Sequence, residues 1–166
     1  ATVGKIYGME RSSKSGLGVC ALEVGDLRVA AIVVVNALGD ICNPENGEKL
    51  AGLKTEDGTG FADSREALYT ISKRATLFNS NTTIGVVITN GEFTKGEMNK
   101  LAAMTRNAYA RCIRPVGTMA DGDTIYAASV GTVQADINTT GVLMAEAMER
   151  AIMRAVTSVS DAPVFE

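Results

Sequence analysis

The chain contains no histidine. A Ser–His or Cys–His couple therefore cannot be assembled from it, and any hydroxyl nucleophile must find another base. Cysteine is scarce. Cys20, Cys42 and Cys112 are odd in number and widely spaced, and without histidine they make no recognisable zinc set. They read as reduced thiols of a cytoplasmic protein. Only 3 of 166 residues are proline, and a 46% hydrophobic, 21% charged composition describes a globular core rather than a disordered segment. No apolar run approaches the length of a membrane span. The opening Ala1-Thr2-Val3-Gly4-Lys5 lacks the charged-then-apolar start of a signal peptide. Basic charge is also short: 16 Lys and Arg stand against 19 Asp and Glu, with a net charge of −3. Both signs are spread evenly, so the basic footprint of a nucleic-acid binder is missing. The length suits one domain or a substantial part of a larger one.

What is present centres on Asn79-Ser80-Asn81-Thr82-Thr83, driven straight into Ile84-Gly85-Val86-Val87-Ile88-Thr89-Asn90. The apolar, β-branched run predicts a buried strand over 84–88. The hydroxyls of Thr82 and Thr83 then sit at the edge of a packed sheet, where rigid backbone can hold a nucleophile. The plainer reading is a loop entering a strand through threonines of good β propensity.

Around that stretch the pattern predicts strands over 17–24 and 27–35, joined by a Gly25-Asp26 hairpin turn. The second strand becomes continuously apolar, which predicts cover on both faces. It ends in Asn36, either a turn residue or an amide aimed into a site. Residues 39–60 read as a polar connection with a turn at Asn43-Pro44-Glu45-Asn46-Gly47. Asp63 followed by Glu66 opens a helix to about Leu77, and Thr94 with Glu97 forms a capping box for a helix to about Arg111. Asp121-Gly122-Asp123 reads as a turn into a strand over 125–130, and the other oxygen ligands of a calcium loop are absent. Asn138-Thr139-Thr140 is expected to cap a last helix to about Val156, ahead of terminal coil. Lys14-Ser15 lacks the preceding glycine of a P-loop. Lys5 stands in a small-residue segment, and a solvated surface lysine is its default reading. Strands alternating with helices make a mixed α/β chain.

A threonine without histidine can use its own α-amine as base if the chain is cut just before it. That amine has a pKa near 8, suited to proton exchange near neutrality. Asn81-Thr82-Thr83-Ile84-Gly85-Val86-Val87, Arg114-Pro115-Val116-Gly117-Thr118 and Asp121-Gly122-Asp123-Thr124-Ile125-Tyr126-Ala127 resemble the self-processing aminopeptidase family typified by L-aminopeptidase D-esterase/amidase. The β-peptidyl aminopeptidases and the nylon-oligomer hydrolase belong to that group. Ala1-Thr2-Val3-Gly4-Lys5, Lys14-Ser15-Gly16-Leu17-Gly18 and Val35-Asn36-Ala37-Leu38-Gly39-Asp40 are similar to it too. The likeness covers the whole chain and matches the C-terminal part of such proteins.

The resemblance implies a four-layer αββα sandwich, of which residues 1–166 form the C-terminal part, with self-cleavage between Asn81 and Thr82. Thr82 becomes the N-terminal nucleophile. Asn36 falls at the position of an oxyanion-stabilising amide. Asp121 and Asp123 fall at positions that orient amine and nucleophile, where some members carry serine and glutamate. Lys5 matches a lysine near the nucleophile in the nylon-hydrolase branch. The implied activity is hydrolysis of small peptides or amino-acid amides without metal or cofactor. The implied partners are a companion N-terminal segment of the same precursor and further copies in a homo-oligomer. Two other readings stay open: acyl transfer, as in the ornithine acetyltransferases, and an uncut, non-catalytic ligand-binding domain.

Overall fold

The computed structural model describes residues 1–71 and 81–159. The expected end of the first helix near Leu77, the Asn79–Ser80 part of the central run and the tail from 160 onward lie outside the described residues. Two short strands, β1 (Thr2–Val3) and β2 (Ser13–Lys14), pair antiparallel at the start. β3 (Leu17–Val24) and β4 (Leu27–Val34) form the expected hairpin, and Gly25 turns the chain at φ +58°. β5 (Asp40–Cys42) and β6 (Lys49–Ala51) follow, then α1 (Ser64–Thr70), β7 (Ile84–Gly91), α2 (Lys95–Cys112), β8 (Ile113–Arg114), β9 (Thr124–Val133) and α3 (Ile137–Thr157).

The main sheet runs β3-β4-β7-β9, with β4 and β7 antiparallel and β7 and β9 parallel. A parallel pair needs a crossover, and α2 supplies it. The Thr94 capping box is complete: Glu97 Oε2 accepts from the Thr94 N–H (2.8 Å), and Thr94 Oγ1 accepts from the Glu97 N–H (3.4 Å). α3 starts earlier than expected. Asp136 caps it by accepting the Thr139 N–H at 2.8 Å. A carboxylate accepts that donor as well as a hydroxyl does, and Asp136 lies two residues closer to β9 than Asn138.

Both long helices cover one face of the sheet. Val29, Ala31, Val33 and Val87 point into a core shared with Leu101 and Tyr109 of α2 and with Met144, Met148, Ala151 and Ile152 of α3. Alternation sends the other residues of each strand to the opposite side. There Leu17, Val19, Ile32, Val34, Ile84, Tyr126 and Val130 are exposed, Val130 by 70%. The second cover expected for β4 is not supplied by the described residues. Apolar content alone does not say what lies opposite, and among the described residues the helices reach one side only. The chain is mixed α/β as expected. Of the αββα sandwich, the described residues build one helical layer and the main sheet it covers.

The segment read as a polar connection carries a small sheet, β6-β5-β8. Its anchor is the buried Asp40 carboxylate. Asp40 pairs with Lys49 (2.7 Å) and accepts from the Leu53 N–H (2.8 Å), the Ser64 N–H (2.9 Å) and the Ser64 hydroxyl (2.6 Å). This fixes the 52–64 segment against Gly4, whose φ of +72° and missing side chain allow it to lie on the Gly52–Leu53 backbone. Ile6, Leu38, Leu53, Ala67 and Ala120 close a second small core there.

Close contact between α3 and β3 depends on Gly18, because a Cβ there would overlap the Ala151 carbonyl. Gly18→Ala is expected to force the helix off the sheet and to lower stability by about 1–3 kcal/mol, the usual cost of overpacking. Urea unfolding of the variant beside the parent chain measures it.

Candidate active site

Thr82 enters β7 between two neighbours. On one flank its N–H donates to the Asn36 carbonyl at 2.9 Å, continuing the ladder in which Val34 faces Ile84. On the other, the Gly122 N–H donates to the Asn81 carbonyl (2.7 Å) and the Thr124 N–H to the Thr83 carbonyl (3.1 Å), continuing the ladder in which Ile84 faces Thr124. Asn81 forms a bridge with Asp121. The sheet therefore brings Asn36, Thr82 and the Asp121–Asp123 turn together from three distant parts of the sequence.

The two-residue period of a strand then separates the side chains. Thr82 lies on the side of Ile84 and Val34, the open face. Thr83 is fully buried on the helical side. Asp123 is on that side as well, and its Oδ1 accepts the Thr83 N–H at 2.8 Å. Burial pushes the Asp123 pKa up, as does the charge of Asp121, whereas the Thr83 N–H and the Arg106 guanidinium oppose the rise. The contact of Asp123 is thus with the backbone one residue beyond Thr82. Asp121 is held by the Thr118 N–H (2.9 Å) and hydroxyl (2.8 Å).

Lys5 is 2% exposed, not the surface lysine of the default reading. Its backbone is tied to Leu38 O (3.0 Å), and its Nζ donates to Asn36 Oδ1 (2.9 Å) and to Asn36 O (3.4 Å). The Thr2 N–H also donates to Asn36 Oδ1, at 3.3 Å. Both partners are donors, so the amide must turn its oxygen toward them. Asn36 is therefore oriented by Lys5. Burial lowers the Lys5 pKa to about 8, with the nearby Asp121 charge working against the shift. An amine with that pKa is partly neutral near pH 7 and can accept a proton.

All five residues expected at the site, Lys5, Asn36, Thr82, Asp121 and Asp123, thus gather at one end of the sheet. Gly122, Thr118, Tyr109 and Arg106 were not foreseen. Gly122 sits in the middle of a quoted motif but reads locally as a turn. Tyr109 points its hydroxyl at Thr83 O (3.5 Å) and Thr124 O (3.4 Å) from α2, which no local pattern signals. A hollow of about 470 Å³ lined by Ala21, Leu22, Ala30, Ile88 and Val130 lies on the open face at the opposite end of β7 from Thr82. Among the described residues no group of three or more Cys, Asp or Glu is placed to hold a metal ion.

Comparison with known proteins gives a consistent picture. Peptidase family S58 matches the chain over residues 3–165. An uncharacterized aminopeptidase of Mycobacterium leprae is 31% identical over 160 residues, covering 89% of this chain and 41% of that protein. A 6-aminohexanoate-oligomer endohydrolase of Kocuria sp. is 31% identical over 143 residues, covering 84% of this chain and 39% of its own. Among solved structures, the L-aminopeptidase D-Ala-esterase/amidase of Ochrobactrum anthropi, described as a variant of the Ntn hydrolase fold, superposes with a TM-score of 0.54 at 15% identity. That match covers 93% of this chain and 44% of the other. The chain thus spans about two fifths of the length of the curated relatives it matches.

The Lys5 environment is directly measurable. A side-chain NMR titration is expected to give a midpoint near pH 8 for Lys5. In Asp121→Asn, losing the neighbouring negative charge is expected to move that midpoint lower still.

Proposed function

The chain belongs to peptidase family S58, and from that premise we propose that it carries the nucleophile-bearing part of a self-processing aminopeptidase or amidase, with Thr82 as the nucleophile. The observation that carries this reading is the strand register, which sets Thr82 between Asn36 and the Asp121–Asp123 turn with its amide nitrogen already held at 2.9 Å by Asn36 O.

On this reading the Asn81–Thr82 peptide is cut first. The freed α-amine, with a pKa near 8, takes the Thr82 hydroxyl proton as Oγ attacks a substrate carbonyl. The Asn36 amide faces the developing oxyanion, with its orientation set by Lys5 and Thr2. Such a donor is worth about 3–4 kcal/mol in the transition state. Asp123 secures the second residue of the new N-terminus through the Thr83 N–H. Lys5 shares protons with the amine over the same pH range. Release of the acyl group from Thr82 by water completes hydrolysis. The substrates proposed are small peptides and amides, in line with the aminopeptidase and 6-aminohexanoate-oligomer relatives.

The open apolar face is proposed to be covered by the companion part of the precursor. The relatives place more than half of their length outside the region matched here, and Thr82 opens onto that same face.

Mass spectrometry and N-terminal sequencing of the purified protein test the reading. A piece beginning Thr-Thr-Ile-Gly-Val is expected, and Thr82→Ala is expected to leave the chain whole and inactive. Splitting of the Thr82→Ala chain at the same bond rules out the nucleophile. In processed material, Asn36→Ala is expected to lower kcat on a small amide by about 10²–10³-fold. A competing amine that diverts the acyl group from water would mark a transferase instead.

A further inference from the structure

The peptide group between Asn81 and Thr82 is a rung held at both ends. Its N–H donates to Asn36 O at 2.9 Å, and its carbonyl oxygen accepts the Gly122 N–H at 2.7 Å. We propose that the Gly122 backbone N–H is the oxyanion donor of the self-cleavage step, a role distinct from that of Asn36 in turnover. The inference rests on Thr82 being the nucleophile.

A ladder bond of this kind can be made by any residue but proline, so the hydrogen bond alone does not require glycine. The space does. A Cβ on Gly122 would lie 2.7 Å from Thr82 Oγ1, closer than such atoms approach, and 3.8 Å from both the Thr82 Cβ and the Asn81 oxygen. Gly122 is not among the glycines with left-handed backbone angles, so conformation is not what demands it. Position 122 is bare because it faces the attacking hydroxyl and the carbonyl under attack.

The donor is also clamped. On one side Asp121 is tied by its backbone N–H to Thr118 O (3.1 Å) and by its carboxylate to the Thr118 N–H and hydroxyl. On the other, Asp123 accepts the Thr83 N–H, and the Thr124 N–H reaches Thr83 O. The two carboxylates therefore fix the N–H between them on the Asn81 oxygen. A donor in place before charge develops needs no reorganisation during the reaction.

The step balances as follows. Thr82 Oγ attacks the Asn81 carbonyl carbon, the Oγ–C bond forms, and the carbonyl π pair moves onto the oxygen facing Gly122. Collapse of this intermediate breaks the Asn81 C–Thr82 N bond, and the hydroxyl proton ends on the Thr82 nitrogen. This leaves an ester and a free amine. One water then hydrolyses the ester to the Asn81 carboxylic acid and the Thr82 hydroxyl.

Replacing Gly122 by glycolic acid in the full chain exchanges the N–H for an ester oxygen without added bulk. Appearance of the piece beginning at Thr82 is expected to slow about 10²-fold. Processing at the unmodified rate overturns the proposal. Should the ester-linked chain fail to fold, hydrogen exchange at the Gly122 amide in uncut Thr82→Ala protein decides instead: strong protection is expected, and exchange at the unfolded-chain rate overturns it. Cleavage of the Thr82→Ala chain would remove the nucleophile itself. Normal cleavage of the glycolate chain beside an uncut Thr82→Ala chain removes only the role of Gly122.

Discussion

The site depends on the pairing of β7 with a strand on either side. β4 ends just before Asn36, β9 begins just after Asp123, and the antiparallel and parallel ladders meet on the residues that enter β7. Because side chains alternate, a shift of one residue in either ladder would send Thr82 into the helical core and bring Thr83 to the open face. The register is protected by packing. Val87 and Gly85 lie against α2 and α3 on the buried side, where Gly85 leaves room for the Tyr109 hydroxyl and the end of Met148. A larger residue there would push the helices away, and with them the layer that specifies which face is buried.

Electrostatics follow from the same geometry. With histidine absent, a side chain that exchanges protons near neutrality must be one whose pKa its surroundings have moved. Lys5 is one, and its lowered pKa comes from being tied at Leu38 beneath the end of β4, away from water. Burying a cation is costly unless it finds partners, and Asn36 supplies both its side-chain and main-chain oxygens. The contact that solvates the lysine also orients the amide, so the two groups cannot be moved independently. Asp121 adds a negative charge that limits the fall in the Lys5 pKa, and it adds to the rise that burial produces at Asp123. A pair of acids one glycine apart thus carries unequal surroundings.

Much of this was readable in local pattern. The Gly25–Asp26 hairpin, the Thr94–Glu97 box and the strand after Thr83 are decided by neighbouring residues, and the structure has them where the pattern puts them. Features set by distant contacts were not readable. β5 and β6 are short, and their order comes from Asp40 reaching Lys49, Leu53 and Ser64, none of which is near it in sequence. Lys5 looked like a surface residue because its burial is made by segments 31 and more positions away. Gly122 carried the signature of a turn, and only the Thr82 hydroxyl across the ladder shows why a side chain is excluded.

The division between the two faces bears on how selectivity arises. The Thr82 hydroxyl, the Asn36 amide and the Gly122 N–H, the groups that the proposed reading needs rigid, sit on a sheet backed by two long helices. The side onto which Thr82 opens is apolar and carries Ile84, Val34 and Tyr126, the last 61% exposed. A surface of that composition is more apolar than the exposed face of a two-layer fold, which alternates to polar residues, and it has the character of an inner face of a sandwich. On the proposed reading, whatever packs there also forms the opposite wall of the substrate cleft. The chemistry is then built into this chain, and the choice of peptide or amide is shared with the layer that covers it.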